Sequence, residues 1–375
     1  MKNKYEVVVI GGGPSGLAAA IEAAKAGCEV LVIDANEKAG GQLFKQIHKF
    51  FGSNAHRAGI RGIDIGEELL KEAEKYGVNI WLNSVAIGLF PEKHIAVETG
   101  KDIDSKTVIT IEAEKIIIAS GASENAIRFK GWTLPGVMGA GAAQTMVNTN
   151  RVLPGKKVLM IGSGNVGLIV SYQLMQGGAD VVGLVEAAPS IGGYAVHAAK
   201  IARAGVPIKT RHTVIEARGN NTDGRVKEAD ICQVDENWQP ILSTKETIEV
   251  DTIAIAVGLK PLGELAIMHG CEMMFNPVLG GWIPVHDSNM ESTHEGIYVV
   301  GDITGVEEAN TALEEGKLAG TSAANSLGKL SDVEAQKANF EIWERLDGLR
   351  HGPHGIARKN AKDEQIHQFK SFVSA

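Results

Sequence analysis

Cysteine is scarce in this chain. Its 375 residues include three, Cys28, Cys232 and Cys271, far apart and in no CxxC pair. That excludes a vicinal redox disulphide, and any iron–sulfur cluster ligated wholly by this chain's cysteines. Three buried, inert thiols are expected instead. Basic blocks are absent too: the formal charge is −8, and nothing forms a nucleic-acid footprint. The apolar runs are strand-sized and end in glycine, well short of the ~20 residues a membrane span needs. The short, charged start lacks the apolar core of a signal peptide, so a cytoplasmic protein is expected. No HExxH, no nucleophile–histidine–acid set and no paired-carboxylate motif stands out. The chemistry is therefore expected to come from bound cofactors rather than from side chains acting as acids and bases.

Glycine is abundant. The 45 glycines exceed the usual ~7 % share, with no repeat or low-complexity tract to account for them. They fall in tight turns between strands and helices. Residues 6–10 are a β-branched run that reads as a buried parallel strand. Gly11-Gly12-Gly13-Pro14-Ser15-Gly16 follows, then an alanine-rich helix, a second strand over 29–33, and Asp34 with Ala35 beside it. This is strand, G-x-G-x-x-G, helix, strand, acid. Gly11 makes the tight turn, Gly13 lets backbone approach a pyrophosphate, and Gly16 lets the helix pack on the strand. The helix N-terminus faces the phosphates, and Asp34 can accept from the ribose hydroxyls.

The pattern recurs about 150 residues on. A strand over Lys157–Ile161 leads into Gly162-Ser163-Gly164-Asn165-Val166-Gly167, a helix, and a strand over 181–185 that finishes on Glu186. A carboxylate there favours a free 2′-hydroxyl and repels a 2′-phosphate, and no arginine follows closely. NAD is therefore expected over NADP. A vestigial domain that binds nothing is the alternative. Two complete units point to hydride exchange between a nicotinamide and a tightly held flavin.

These motifs resemble the two-dinucleotide-binding-domain flavoproteins, the thioredoxin-reductase-like superfamily. The resemblance spans residues 5–328. It extends to Gly40-Gly41-Gln42-Leu43, to the crossing segment Ala119-Ser120-Gly121, to the return segment Val257-Gly258-Leu259-Lys260-Pro261, and to Gly296-Ile297-Tyr298-Val299-Val300-Gly301-Asp302. It implies FAD on the first site, with Asp302 on the ribityl chain and the helix from Ala309 to Ala319 aimed at the flavin pyrimidine. It also implies NAD on the second site. The fold it implies is α/β: two nested Rossmann-like domains of three-layer ββα architecture, with the FAD domain discontinuous.

Small residues stand where thioredoxin reductases carry CxxC. The string there, Leu134-Pro135-Gly136-Val137-Met138-Gly139-Ala140-Gly141-Ala142-Ala143-Gln144, resembles the alpha-type subunits of heteromeric sarcosine oxidases, dye-linked L-proline dehydrogenases, opine oxidases and hydrogen cyanide synthases. That resemblance implies an electron-transfer subunit of a hetero-oligomer. Its partners would be an amino-acid-oxidase-like flavoprotein catalytic subunit, together with a small [2Fe–2S] subunit, with room for an FMN at an interface between them. A stand-alone NADH-dependent reductase, or a structural subunit that keeps its nucleotide sites without turnover, are the alternatives.

The expected organisation is an FAD domain over 1–118 and 259–330, an NAD domain over 119–258, and a helical, polar appendage over 331–375. A small β-meander is expected over 92–108 and 110–114, turning at Thr99-Gly100-Lys101, and a hairpin around 230–250. Four further groups admit a plain structural role or a functional one. Gly192-Gly193-Tyr194 and His197 form a loop and helix start, or line the adenosine pocket or a partner face. His48, Phe50, Phe51 and His56 pack in the core or cover the flavin. Phe340, Trp343, Leu346 and Leu349, at helical spacing, pack back on the FAD domain or dock a partner. Arg350-His351-Gly352-Pro353-His354-Gly355 reads as a surface loop, or as a metal or flavin-phosphate contact. Lys359 and Lys362 read as solvated charges.

Overall fold

Parallel strands with β-branched interiors organise both halves of the chain. The computed structural model describes residues 2–220, 223–353 and 355–373. It contains two units, residues 1–123 with 260–375, and residues 124–259.

The first unit opens with β1 (Lys4–Ile10), α1 (Pro14–Lys25) and β2 (Val30–Ile33). Then come α2 (Gly62–Lys75), β3 (Asn79–Trp81), β4 (Ser84–Phe90), β5 (His94–Thr99) and β6 (Thr107–Ile118). The sheet order is β3-β2-β1-β6-β5-β4, with β5 on β6 and β4 on β5. The meander therefore starts at Ser84, earlier than expected, and its last strand runs unbroken into the apolar run at 115–118. One strand joins the parallel and the antiparallel parts of a single sheet because its halves differ. Residues 107–112 pair antiparallel with β5, and residues 115–118 pair parallel with β1. Period-two alternation splits β1 between two cores. Val7 and Val9 face the cluster of α1 and α2, whereas Val8 and Ile10 face the cluster of the meander. The result is three layers: helices, parallel sheet, meander.

The chain leaves through β7 (Ala122–Glu124) and enters the second unit at β8 (Val137–Gly139) and α3 (Ala140–Asn148). β9 (Lys157–Ile161), α4 (Asn165–Gln176), β10 (Asp180–Glu186), α5 (Ala195–Arg203) and β11 (Ile208–Thr210) follow. A meander of β12 (His212–Gly219), β13 (Val226–Val234) and β14 (Pro240–Glu249) precedes β15 (Thr252–Ile255). The parallel order is β11-β10-β9-β15-β8. The layering repeats: Val158 and Met160 face the helices, and Leu159 and Ile161 face the meander. The hairpin expected around 230–250 is β13–β14, which starts earlier, at Val226.

β16 (Leu259–Pro261) returns the chain to the first unit, which is completed by α6 (Glu264–His269), β17 (Met273–Asn276), β18 (Gly281–Pro284), β19 (Ile297–Val299) and α7 (Ala309–Ser326). Two further helices, α8 (Asp332–Leu349) and α9 (Ile356–Val373), belong to this same unit. A Ser331–Glu334 capping box starts α8, satisfying two of the helix's free N–H groups. Its buried face is Ala335, Ile342 and Leu346. Trp343 packs beside them, and its indole N–H bonds the Ser288 carbonyl at 3.1 Å. Phe340 of the expected stripe instead points outward, 64 % exposed. Among the described residues, no helix is long and apolar enough to cross a membrane.

Candidate dinucleotide sites

Strand register assembles the first site. Ile10 pairs with Ile33 and with Ile118, and Ile118 pairs with Val299. Four strands therefore end level, and the residue after each end carries a motif: Gly11, Asp34, Ala119 and, one further on, Gly301. Ligands of open parallel sheets bind at this carboxyl edge.

The first glycine loop has the geometry the spacing implied. Gly11 sits at φ 105°, and a Cβ there would lie 2.3 Å from the Ala119 carbonyl oxygen. A Cβ on Gly16 would lie 1.8 Å from the Gly11 carbonyl oxygen. Both positions are therefore closed to any side chain. Gly13 differs, because a Cβ there would meet nothing within 4 Å. That is a cradle a phosphate can enter. Pro14 opens α1 at the position where its missing N–H costs nothing. The buried Asp34 carboxylate accepts from the Gly12 N–H at 2.7 Å, and from the Asn36 N–H and side-chain amide at 2.8 Å each. Of its roughly four acceptor positions one remains for a ribose hydroxyl. Ala35 is exposed at the tip of this turn. Gly40 donates to the Gly12 carbonyl at 2.6 Å, and a Cβ on Gly41 would lie 2.8 Å from the Gly13 Cα. The segment from Gly40 to the buried Leu43 thus lies against the glycine loop, with Gln42 exposed. Ser120 donates to the Leu262 carbonyl at 2.6 Å, and Leu262 donates to the Gly121 carbonyl at 3.0 Å, tying the outgoing segment to the returning one.

The second arm of this site is the turn Gly301–Thr304 and helix α7. A Cβ on Gly316 would lie 2.1 Å from the Ser15 carbonyl oxygen, and one on Gly320 would lie 2.3 Å from that of Ala19. Two glycines one turn apart let α7 approach α1 at backbone contact. Ala309 is half-buried at the start of α7. Burial pushes the Asp302 carboxyl up to about 6. Among the described residues, its side chain accepts one long bond, 3.5 Å, from the Glu307 N–H. A desolvated, weakly partnered carboxyl suits a ligand hydroxyl.

Behind this turn lies a buried ionic cluster. Glu315 accepts from the Gly301 N–H at 2.9 Å and the Thr304 hydroxyl at 3.0 Å. Its other oxygen accepts from Arg350 at 2.6 Å and Lys362 at 2.7 Å. Arg350 also forks onto Glu307, and Lys362 donates to Thr304 at 2.6 Å. Burial alone would raise the Glu315 carboxyl; the two cations hold it below the usual range. Two expectations fail here. Lys362 is no solvated charge but 1 % exposed, and Arg350 belongs to no surface loop at 3 % exposed. The Arg350 guanidinium is spent on carboxylates, so it is no phosphate contact. Lys359 pairs at the surface with Asp347 and Asp363. His351 bonds the Asp347 carbonyl at 2.7 Å, and His354 lies outside the described residues. Phe50 is buried in the helix-side core with His48 stacked on it at 6.1 Å. Phe51 is exposed, and His56 bonds Ser53 at 3.0 Å.

The second unit repeats the first arm. Ile161 pairs with Val185 and Ile255, so Gly162 and Glu186 leave the sheet level with each other. Gly162 sits at φ 102°; its Cβ would lie 2.2 Å from the Ala256 carbonyl oxygen, and that of Gly167 would lie 2.2 Å from the Gly162 carbonyl oxygen. Gly164, like Gly13, would meet nothing within 4 Å. The half-buried Glu186 accepts from the Ser163 N–H at 2.9 Å, the Ser163 hydroxyl at 2.7 Å and the Ala188 N–H at 2.9 Å. Asn165 caps a neighbouring loop, its side-chain oxygen accepting from the Tyr194 N–H at 2.8 Å. Val166 lies on the outer face of α4, 40 % exposed. Gly258, at φ 98°, accepts from the Asn125 N–H at 3.0 Å. His197 is buried beside Tyr194, their rings 6.2 Å apart.

The three cysteines are free and buried, and burial pushes the Cys28 thiol up to about 11. Such thiols are poor nucleophiles at neutral pH. Among the described residues, no group of three or more histidine, cysteine, aspartate or glutamate side chains could hold a metal ion.

Two glycine loops, each with an open cradle and a carboxylate at the next strand end, define an α/β oxidoreductase of the two-dinucleotide type. Residues 5–316 match the family model for pyridine nucleotide-disulphide oxidoreductases, and the chain belongs to that family. Membership implies FAD and NAD(P) as cofactors, and the open cradles and carboxylates fit them. The chain is 25 % identical to the HcnB component of hydrogen cyanide synthase from Pseudomonas aeruginosa, over 94 % of this chain and 77 % of that protein. It is 28 % identical to an opine oxidase component from Agrobacterium tumefaciens, over 91 % of this chain and 69 % of that protein. Among solved structures, L-proline dehydrogenase from P. horikoshii shares the fold. The TM-score is 0.68 at 22 % identity, over 92 % of this chain and 59 % of that chain.

Proposed function

We propose that this chain is the electron-transfer flavoprotein subunit of a multi-subunit amine or amino-acid dehydrogenase, with FAD on the first site and NAD on the second. A flavin and a nicotinamide would supply the chemistry, a hydride passing between them. The chain's own residues bind and orient. Gly13 and Gly164 admit the pyrophosphates, Asp34 and Glu186 take the adenosine riboses, and Asp302 takes the ribityl chain. The Glu186 carboxylate, with no cation among its described partners, favours NAD over NADP. The observation that carries the reading is the duplicated cradle-and-carboxylate geometry in a chain whose three thiols are buried and apart. The relatives named as subunits of opine oxidase and hydrogen cyanide synthase support a hetero-oligomer. The proposed partners are an amino-acid-oxidase-like flavoprotein and a small [2Fe–2S] protein. Neither glycine loop calls for an FMN at an interface, and the proposal does not include one.

Anaerobic mixing of the purified chain with NADH tests the proposal. Yellow protein that bleaches supports both sites. Amine oxidation that appears only when a flavoprotein partner is added supports the division of labour. Oxidation of an amino acid by the chain alone would overturn that division, and colourless protein with no NADH binding would overturn the whole reading.

A further inference from the structure

The second unit carries one more piece of the first arm. In both units a Gly-Gly pair begins six positions after the strand-end acid: Asp34 to Gly40-Gly41, Glu186 to Gly192-Gly193. In the first unit this pair lies on the glycine loop through the Gly40–Gly12 bond and the approach of Gly41 to Gly13. The second unit does the same with different atoms. Gly193 donates to the Ser163 carbonyl at 2.9 Å, and Gly192 donates to the Ser163 hydroxyl at 3.2 Å. Tyr194 donates to the Asn165 side chain at 2.8 Å. A Cβ on Gly193 would lie 2.9 Å from both the Gly164 carbonyl carbon and the Asn165 nitrogen. Gly192 is the looser member. A Cβ there would come no nearer than 3.9 Å to Gly164, its nearest neighbour.

We infer that Gly192-Gly193-Tyr194 is a dinucleotide-binding element: a flap that walls the second cradle and holds the adenosine-pyrophosphate half of the nicotinamide nucleotide against Gly164. This inference rests on the reading of the second site as an NAD site. Gly193 is fixed by backbone approach, and Gly192 leaves the space above Gly164 clear for phosphate. The loop is tied to the same serine that donates to Glu186, so one residue, Ser163, joins the ribose carboxylate to the flap.

Calorimetric titration of the flavin-loaded chain with NADH and with ADP-ribose, which lacks the nicotinamide, tests the flap. Gly192→Ala meets no clash in the protein, so flavin content and melting temperature should stay at the wild-type values. Its affinity for both nucleotides should fall by the same factor, at least tenfold. Wild-type hydrogen exchange gives a second readout, in which ADP-ribose should protect the amides of 192–194. Unchanged affinity in Gly192→Ala, a loss for NADH but not ADP-ribose, or no protection of the flap would overturn the inference while leaving the NAD site standing. A wild-type chain that binds neither nucleotide would overturn the NAD reading, and the flap with it.

Discussion

The two glycine loops are near copies, yet the sites they begin are unequal. Each has two glycines closed by backbone contact, one open cradle, and a carboxylate with three donors. Among the described residues, the first site alone has a second arm, the Gly301–Asp302 turn and α7, drawn onto α1 by Gly316 and Gly320. That arm is braced from behind by Glu315, Arg350 and Lys362. The second site has a loop tied to its own glycine turn by three hydrogen bonds. A ligand held by two braced arms has little freedom to leave; one held by a single arm and a flap can exchange. The asymmetry agrees with the proposed assignment, in which a resident flavin would take the first site and an exchanging nicotinamide the second.

Glu315→Ala should break this contrast most severely. It strips the shared acceptor from Arg350 and Lys362 and unties the Gly301–Thr304 turn. Removing one member of a buried ionic cluster costs about 3–5 kcal/mol. The variant should melt earlier and lose its flavin, while NADH binding by the second unit survives wherever that unit stays folded. Thermal melts with flavin fluorescence read both effects, and retention of flavin at the wild-type melting temperature would refute the brace.

Gly13→Ala and Gly164→Ala sharpen the contrast by treating the two cradles alike. Neither Cβ meets protein within 4 Å, and both backbones are extended, so the fold should tolerate each. The methyl would occupy the phosphate's place. Gly13→Ala should cut flavin content at least tenfold. Gly164→Ala should keep its flavin and weaken NADH at least tenfold, roughly 1.4 kcal/mol. Crossed outcomes, with Gly164→Ala losing flavin, would reverse the assignment of the sites.

How much of this is legible in sequence follows the range of each interaction. Gly11, Gly16, Gly162 and Gly167 act on neighbours within one β-turn-α unit, so their spacing is enough to read them. Lys362 is different. On a polar helix it looks like any solvated lysine, and nothing local reports that Glu315, far back in the chain, takes its charge. The stripe on α8 misleads for a related reason. Trp343 and Leu346 meet the core as their spacing suggests, but Phe340 does not, and Ile342, outside the stripe, is buried instead, a choice set by how α8 lies against its own unit. The unbroken run of β6 is hidden because its two halves obey different patterns, alternating beside β5 and continuous beside β1.

The smallest predicted effect concerns pH and lies at the second arm of the first site. Burial, with Lys362 next, pushes His286 down to about 4, from 6.5. Between these values the unfolded chain binds the extra proton, so this group makes stability rise with pH. Asp302 moves the other way, from 3.8 up to about 6, and it makes stability fall with rising pH over nearly the same range. The two should largely cancel in flavin-stripped wild-type protein between pH 5 and 6. Asp302→Asn removes one of them and uncovers the other. The flavin-stripped variant should lose about 1 kcal/mol more than wild type per pH unit of acidification, measured by urea titration at pH 5, 5.5 and 6. Parallel lines would mean that Asp302 titrates normally. The desolvation that prepares it for a ligand hydroxyl would then be absent, and the first site would lose the feature that most separates it from the second.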